Sequence, residues 1–158
     1  MGHQEGMLHA YRDHIVADIT AWNTFWLPPL LALSKQCINA NPPIRQRAIT
    51  YLQRLLLSPA LTPPDPSQAD TSIPVFDRVL FPILDELLKS PDPHYGETKL
   101  RAANLLCKVF LADIGRFSET QSEEMVVGLF MRVLGVMERM IRSERDGMVS
   151  CKTVLYTA

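Results

Sequence analysis

Pro43–Leu57 reads PIRQRAITYLQRLLL, and sliding it forward by 54 positions lays it over Glu97–Leu111, ETKLRAANLLCKVFL. Arg47 falls on Arg101, Ala48 on Ala102, Leu52 on Leu106 and Leu57 on Leu111. Upstream of each copy, Pro29-Leu30-Leu31 falls on Pro82-Ile83-Leu84 with a shift of 53. The first copy puts Ile44, Ala48, Tyr51, Leu52 and Leu55 on one helical face, with Gln46, Thr50, Gln53 and Arg54 opposite. The polar positions of the second copy shrink to one stripe, Glu97, Arg101, Asn104 and Lys108, as expected of an inner helix surrounded on most sides. Two helical units repeated in the same order predict stacked antiparallel helix pairs rather than an enclosed catalytic fold.

The remaining chain divides around these copies. Leu8, Tyr11, Ile15, Ile19 and Trp22 recur at helical spacing, so Gln4–Thr20 is expected to be the trailing helix of a preceding repeat, within residues 1–21. Residues 22–57 form the first helix pair: Phe25–Asn39, capped by Asn23-Thr24, then Pro43–Leu57 after a turn through Asn39–Pro43. Residues 58–74, SPALTPPDPSQADTSIP, are a Pro-rich loop without periodicity. Residues 75–114 form the second pair, with Pro82 expected to kink its first helix or divide it into a short and a longer piece. Residues 119–145 hold the first helix of an incomplete third pair, Glu119–Arg142, burying Val126, Leu129, Phe130, Val133, Met137, Met140 and Ile141. Residues 146–158 are an atypical tail. The expected architecture is all-α, with HEAT/armadillo-like antiparallel helix pairs, as a fragment of a longer α-solenoid.

Composition narrows the function classes. In 158 residues, a hydrophobic fraction of 47% is enough to build a core and excludes a disordered chain. The net charge of −1 gives no global attraction to nucleic acid, and the few basic residues lack interleaved stacking aromatics. Cys37, Cys107 and Cys151 form no CxxC pair and read as reduced thiols, two of them packed within helices. The most apolar window, Phe25–Leu33, contains Pro28-Pro29 and is less than half of the roughly 20 residues a membrane span needs. Met1-Gly2 is not a myristoylation signal, because Gly6 stands where Ser or Thr is required.

Two blocks carry a family resemblance. The first is Trp26-Leu27-Pro28 with Leu30, Ala32–Cys37, Arg45-Gln46-Arg47-Ala48 and Tyr51-Leu52-Gln53-Arg54. The second is Val79–Leu84 with Glu86-Leu87-Leu88, Glu97-Thr98 and Leu100–Leu111. Together they resemble the C-terminal helical region of the large Golgi Arf guanine-nucleotide exchange factors of the brefeldin-A-resistance type, over Trp22–Asp146. The resemblance implies a non-catalytic regulatory or membrane-recruitment module lying downstream of the exchange domain, in vesicle-mediated transport. It also implies a cytoplasmic protein peripherally associated with Golgi membranes. The implied partners are other domains of the parent exchange factor, the Golgi membrane surface, or Arf/Rab-type regulators. No segment resembles the loop that presents the family's catalytic glutamate, so no glutamate here inherits that role. Met148–Ala158, MVSCKTVLYTA, departs from the family pattern. The alternative reading is a helical-repeat scaffold in another trafficking complex.

The chemistry-bearing residues agree with a non-enzyme. His9 and His14 are five apart and leave a helix on different sides, and no Cys or acid completes a zinc set, so neither metal nor cofactor is expected. Asp13, His14 and Asp18 have no nucleophile beside them, and the glycines form no phosphate-cradling loop. The candidate contacts are arginines. Arg132, Arg139 and Arg142 share one face of the last helix, where they could meet an anionic lipid or acidic partner, or simply form a solvated face with Glu138 paired to Arg142. Arg47 and Arg101 hold equivalent repeat positions, fit either for a structural task, covering turn carbonyls or pairing with an acid of a neighbouring helix, or for a ladder along the concave side that binds a partner.

Overall fold

The computed structural model describes residues 22–61, 72–90 and 92–156. The expected helix at Gln4–Thr20 and most of the Pro-rich loop lie outside them. Helix α1 (Leu27–Gln36) and helix α2 (Pro42–Leu56) form the first pair. The second begins with the short helix α3 (Ser72–Val75), passes through a π turn (Phe76–Leu80) into α4 (Phe81–Lys89), and returns along α5 (Gly96–Thr120). Helix α6 (Glu123–Tyr156) completes the described chain, and no strand occurs among the described residues.

Proline placement explains the irregular entries to both pairs. Pro82 has no amide hydrogen to donate, so an unbroken α-helix would leave a carbonyl of the preceding turn unpaired. The chain instead widens by one residue per turn just before it, and the Phe81 amide donates to Phe76 O, five residues back. A second π turn, Trp22–Trp26, precedes Pro28-Pro29 in the same way. Both prolines of α1 then occupy its first turn, where donors are not needed. Asn23 and Thr24 therefore lie inside a helical turn and do not cap one; no side chain caps α1. Pro82 does not divide its segment, as one of the two expected forms would have it: residues 72–89 stay helical throughout, and the π turn just before the proline absorbs its missing donor.

The structure also corrects the register. The π turns at 22–26 and 76–80 are 54 apart, as are the buried pairs Trp22/Phe76, Leu27/Phe81, Leu30/Leu84, Ala48/Ala102 and Leu52/Leu106. One shift of 54 therefore holds throughout, pairing Pro28 with Pro82, and the upstream shift of 53 is replaced. The buried stripe of α2 is turned from the expected one. Ala48, Ile49, Leu52 and Arg45 face inward, whereas Ile44 and Tyr51 are exposed.

The helices stack in the order that the repeat predicts. Helix α1 packs on α2 and on the 76–80 π turn, α2 packs on α5, α4 packs on α5, and α6 lies against both α4 and α5. Phe76, fully buried, sits among the rings of Phe81, Phe110 and Phe117 at centroid distances of 6.0, 6.4 and 6.0 Å. Phe110 in turn stacks on Phe130 of α6 at 5.8 Å. Helices α5 and α6 are longer than expected. The break between them falls at Gln121-Ser122, where Ser122 O accepts from the amides of Met125 and Val126 and two acids follow in the first turn of α6. Helix α6 buries Leu129, Val133, Val136 and Met140, and exposes Phe130 and Ile141 from the expected set. The segment expected as an atypical tail continues this helix to Tyr156.

Candidate functional site

The basic residues separate into a buried set that holds the stack together and an exposed set open to a partner. Arg45 is 2% exposed. Its Nη1 donates to Asn39 O at 2.8 Å and Ala40 O at 2.9 Å, covering the turn between α1 and α2. Its Nη2 donates to His94 O at 3.0 Å and its Nε to Thr98 Oγ1 at 3.2 Å, both in the second unit. The guanidinium also lies over the Tyr95 ring, 4.1 Å from its centroid. Lys99, 54 positions on, is buried too. Its Nζ donates to Ser90 O, in the turn of its own unit, at 2.9 Å and to Ser143 Oγ of α6 at 3.3 Å. At this one repeat position a buried cation ties its own interhelix turn to the next unit in the stack. The role of covering turn carbonyls, considered for Arg47 and Arg101, thus belongs to their neighbours two residues earlier.

Arg47 and Arg101 are exposed instead, and the structure brings them together. They line an open groove of about 430 Å³ between α2 and α5, with Arg54, Gln46, Thr50 and Tyr51. Glu97 Oε1 takes an ion pair from Arg101 Nη2 at 2.7 Å, and Glu97 Oε2 accepts from Gln46 Nε2 at 3.0 Å. Neither Arg47 nor Arg54 has a carboxylate partner among the described residues. The other expected set is differently placed. Arg132 pairs with Asp77 at 2.6 Å and lies over the Phe81 ring at 4.2 Å. Arg139 pairs with Asp85 at 2.9 Å, and Arg142 with Glu138 at 2.6 Å. Arg132 and Arg139 thereby strap α6 to the second unit beside a cavity of about 490 Å³, with their charge already matched.

Cys37 closes α1 with its thiol buried, and that burial pushes its pKa from 9.0 to about 12. Cys107 is half-buried, with its sulfur 3.8 Å from Met137 Sδ. Among the described residues no three His, Cys, Asp or Glu side chains converge as a metal site would require. No helix among them is long and apolar enough to cross a membrane.

Helix pairs stacked in register, with buried ties between units and an open groove along the second helices, define an α-solenoid. The family model described as "GBF1-like, tetratrico peptide repeat region" matches residues 26–154, and the chain belongs to that family. It is 27% identical over 130 residues to the Golgi-specific brefeldin A-resistance guanine nucleotide exchange factor 1 homolog of Caenorhabditis elegans. That stretch covers 80% of this chain and 6% of the relative's length. No solved structure matches.

Proposed function

We propose that this chain serves as a non-catalytic regulatory or membrane-recruitment module of an Arf guanine-nucleotide exchange factor acting in Golgi vesicle-mediated transport. The observation that carries the reading is the family match across residues 26–154, to a helical-repeat region rather than to an exchange domain. The relative's name supports the pathway: it is called a Golgi-specific exchange factor homolog. On this reading the parent protein supplies the exchange chemistry, and this region works as a surface within it, at Golgi membranes reached from the cytoplasm. Contacts to other domains of the parent, to the membrane, or to Arf/Rab-type regulators fall first to Arg47, because Arg101, Arg132, Arg139 and Arg142 are each already held by a carboxylate.

The test has two arms. Release of fluorescent GDP from Arf by the isolated chain should equal the spontaneous rate; acceleration would overturn the non-catalytic assignment. A full-length exchange factor whose own region is replaced by this one should localise to the Golgi and raise Arf-GTP. The same protein with the region deleted should lose one or both. Unchanged localisation and unchanged Arf-GTP on deletion would remove the regulatory role.

A further inference from the structure

Three exposed cations line the groove, Arg47, Arg54 and Arg101, and Lys108 continues the same exposed stripe of α5 beyond it, so that the set recurs with the repeat. Arg47 corresponds to Arg101 at a shift of 54, and Arg54 corresponds to Lys108 at the same shift. All four are exposed, and each helix carries its pair seven residues apart. Seven residues rise about 10 Å along a helix, and neighbouring helix axes lie roughly 8–10 Å apart, so the four charges mark a grid of about 10 Å by 10 Å. Between each pair stands one exposed polar residue, Thr50 on α2 and Asn104 on α5.

The charge of this face is not neutralised from within. Helix α2 contains three basic residues and no Asp or Glu. Of these only Arg45 is consumed by the fold, through its bonds to the turn and the second unit. On α5, Glu97 offsets Arg101 alone. The opposite situation prevails on α6, where Arg132, Arg139 and Arg142 are each matched by an acid. Two arginines side by side in one groove, with no acid matched to either among the described residues, offer that groove to an external anion.

We propose that Arg47, Arg54, Arg101 and Lys108 form a carboxylate-binding ladder for an acidic peptide segment lying in the groove between α2 and α5. A peptide in the polyproline-II conformation has three residues per turn and advances about 3.1 Å per residue, so carboxylates three residues apart lie on one side about 9 Å apart and match the roughly 10 Å step along each helix. Guanidinium groups fork onto carboxylates, and the ligand's backbone amides meet Thr50, Asn104 and Gln46. The groove is open, and its cations are interleaved with hydrogen-bonding side chains, Gln46 and Thr50, that can meet a peptide backbone. A bilayer surface would use the charges alone, so a peptide is favoured over a lipid surface. This property belongs to the isolated chain and does not depend on membership of an exchange factor.

The experiment uses the full chain and a fluorescein-labelled peptide of about a dozen residues, with glutamate at every third position, followed by anisotropy at about 50 mM salt. Saturable binding is expected, falling steeply as salt is raised. Arg47→Glu with Arg54→Glu should weaken it by about tenfold or more, since attraction becomes repulsion at two rungs. Lys35→Glu, on α1, should leave it unchanged. Circular-dichroism melts of each variant separate lost binding from lost folding. No saturable binding by the wild-type chain below about 1 mM would overturn the proposal. So would equal binding by the folded Arg47→Glu/Arg54→Glu variant. Capture of the chain by phosphatidylserine vesicles through these same arginines, with the peptide unable to compete, would assign the groove to a lipid surface instead.

Discussion

Replacing Arg45 by Met tests whether one buried cation holds the two units in register. Methionine keeps most of the side-chain length and packing while removing all four donated hydrogen bonds and the charge over Tyr95. Buried ions are costly to desolvate, and an apolar replacement can be nearly neutral when both partners are replaced. Here three of the four acceptors are backbone carbonyls, of Asn39, Ala40 and His94, which no substitution can delete. Each is left short of a partner at about 1 kcal/mol, and the lost ring contact adds about 0.5–1 kcal/mol. The sum is about 3–4 kcal/mol, a large share of the 5–15 kcal/mol typical of a domain. In a chain of this size that is a drop in Tm of roughly 10 °C. Urea unfolding followed by helical circular dichroism reads it directly. Arg45→Lys should recover only part, since an ammonium lacks the guanidinium fork that reaches the turn and the second unit together. Arg47→Met, two residues along, should change stability by less than about 0.5 kcal/mol because its side chain is exposed. A loss below about 1 kcal/mol in Arg45→Met would refute the reasoning.

Three further outcomes follow from the packing and the ionisations. Phe76→Ala removes the ring at the centre of the aromatic cluster and should cost about 3–5 kcal/mol by urea unfolding; a cost near that of an exposed site would contradict its placement. A double-mutant cycle on Arg132 and Asp77 should give a coupling of under about 1 kcal/mol, since both side chains are about half exposed, 56% and 44%. Cys37 should add a pH dependence. Its pKa is raised on folding, so its contribution is fully present below 9.0 and is lost as pH rises towards about 12. Over that window the slope is up to about 1.4 kcal/mol per pH unit, and it should be absent from Cys37→Ala. Parallel stability-against-pH curves for the two proteins would rule it out.

The helical architecture was legible because its signals were local and repeated. Apolar periodicity located the helices, and the prolines marked the turns and the irregular first helix of the second pair. What sequence reasoning missed was rotational. A pattern built on hydropathy counted Ile44 and Tyr51 as buried and so turned α2 towards them, leaving Arg45 on neither face. The correcting signal was present: Arg45 and Lys99 share a repeat position, and two basic residues at one repeat position mark a common task. Ser122 followed by Glu123 and Glu124 likewise had the composition of a helix start, but the polar stretch Ser118–Gln121 before it offered an equally good start at Glu119. The groove between α2 and α5 depends on how two helices approach, which no single-helix pattern encodes.

The two units use the same positions differently, and the difference follows the direction of stacking. Val79 and Leu80 are buried in the second unit, on the π turn that packs against α1. Their counterparts in the first unit, Phe25 and Trp26, are 72% and 37% exposed. Thr98, which accepts from Arg45 of the first unit, is buried, while its counterpart Ile44 is exposed. These positions belong to the face that each unit turns towards the one before it. Positions facing the following unit behave the opposite way: Arg45 and Lys99 are buried in both copies, because each copy has a successor within the described chain. The exposed Arg47–Arg101 pair belongs to neither class. It lies on the side of the second helices that stacking leaves free, so its openness does not depend on which unit comes next, and this is why the proposed peptide ladder is assigned to that side.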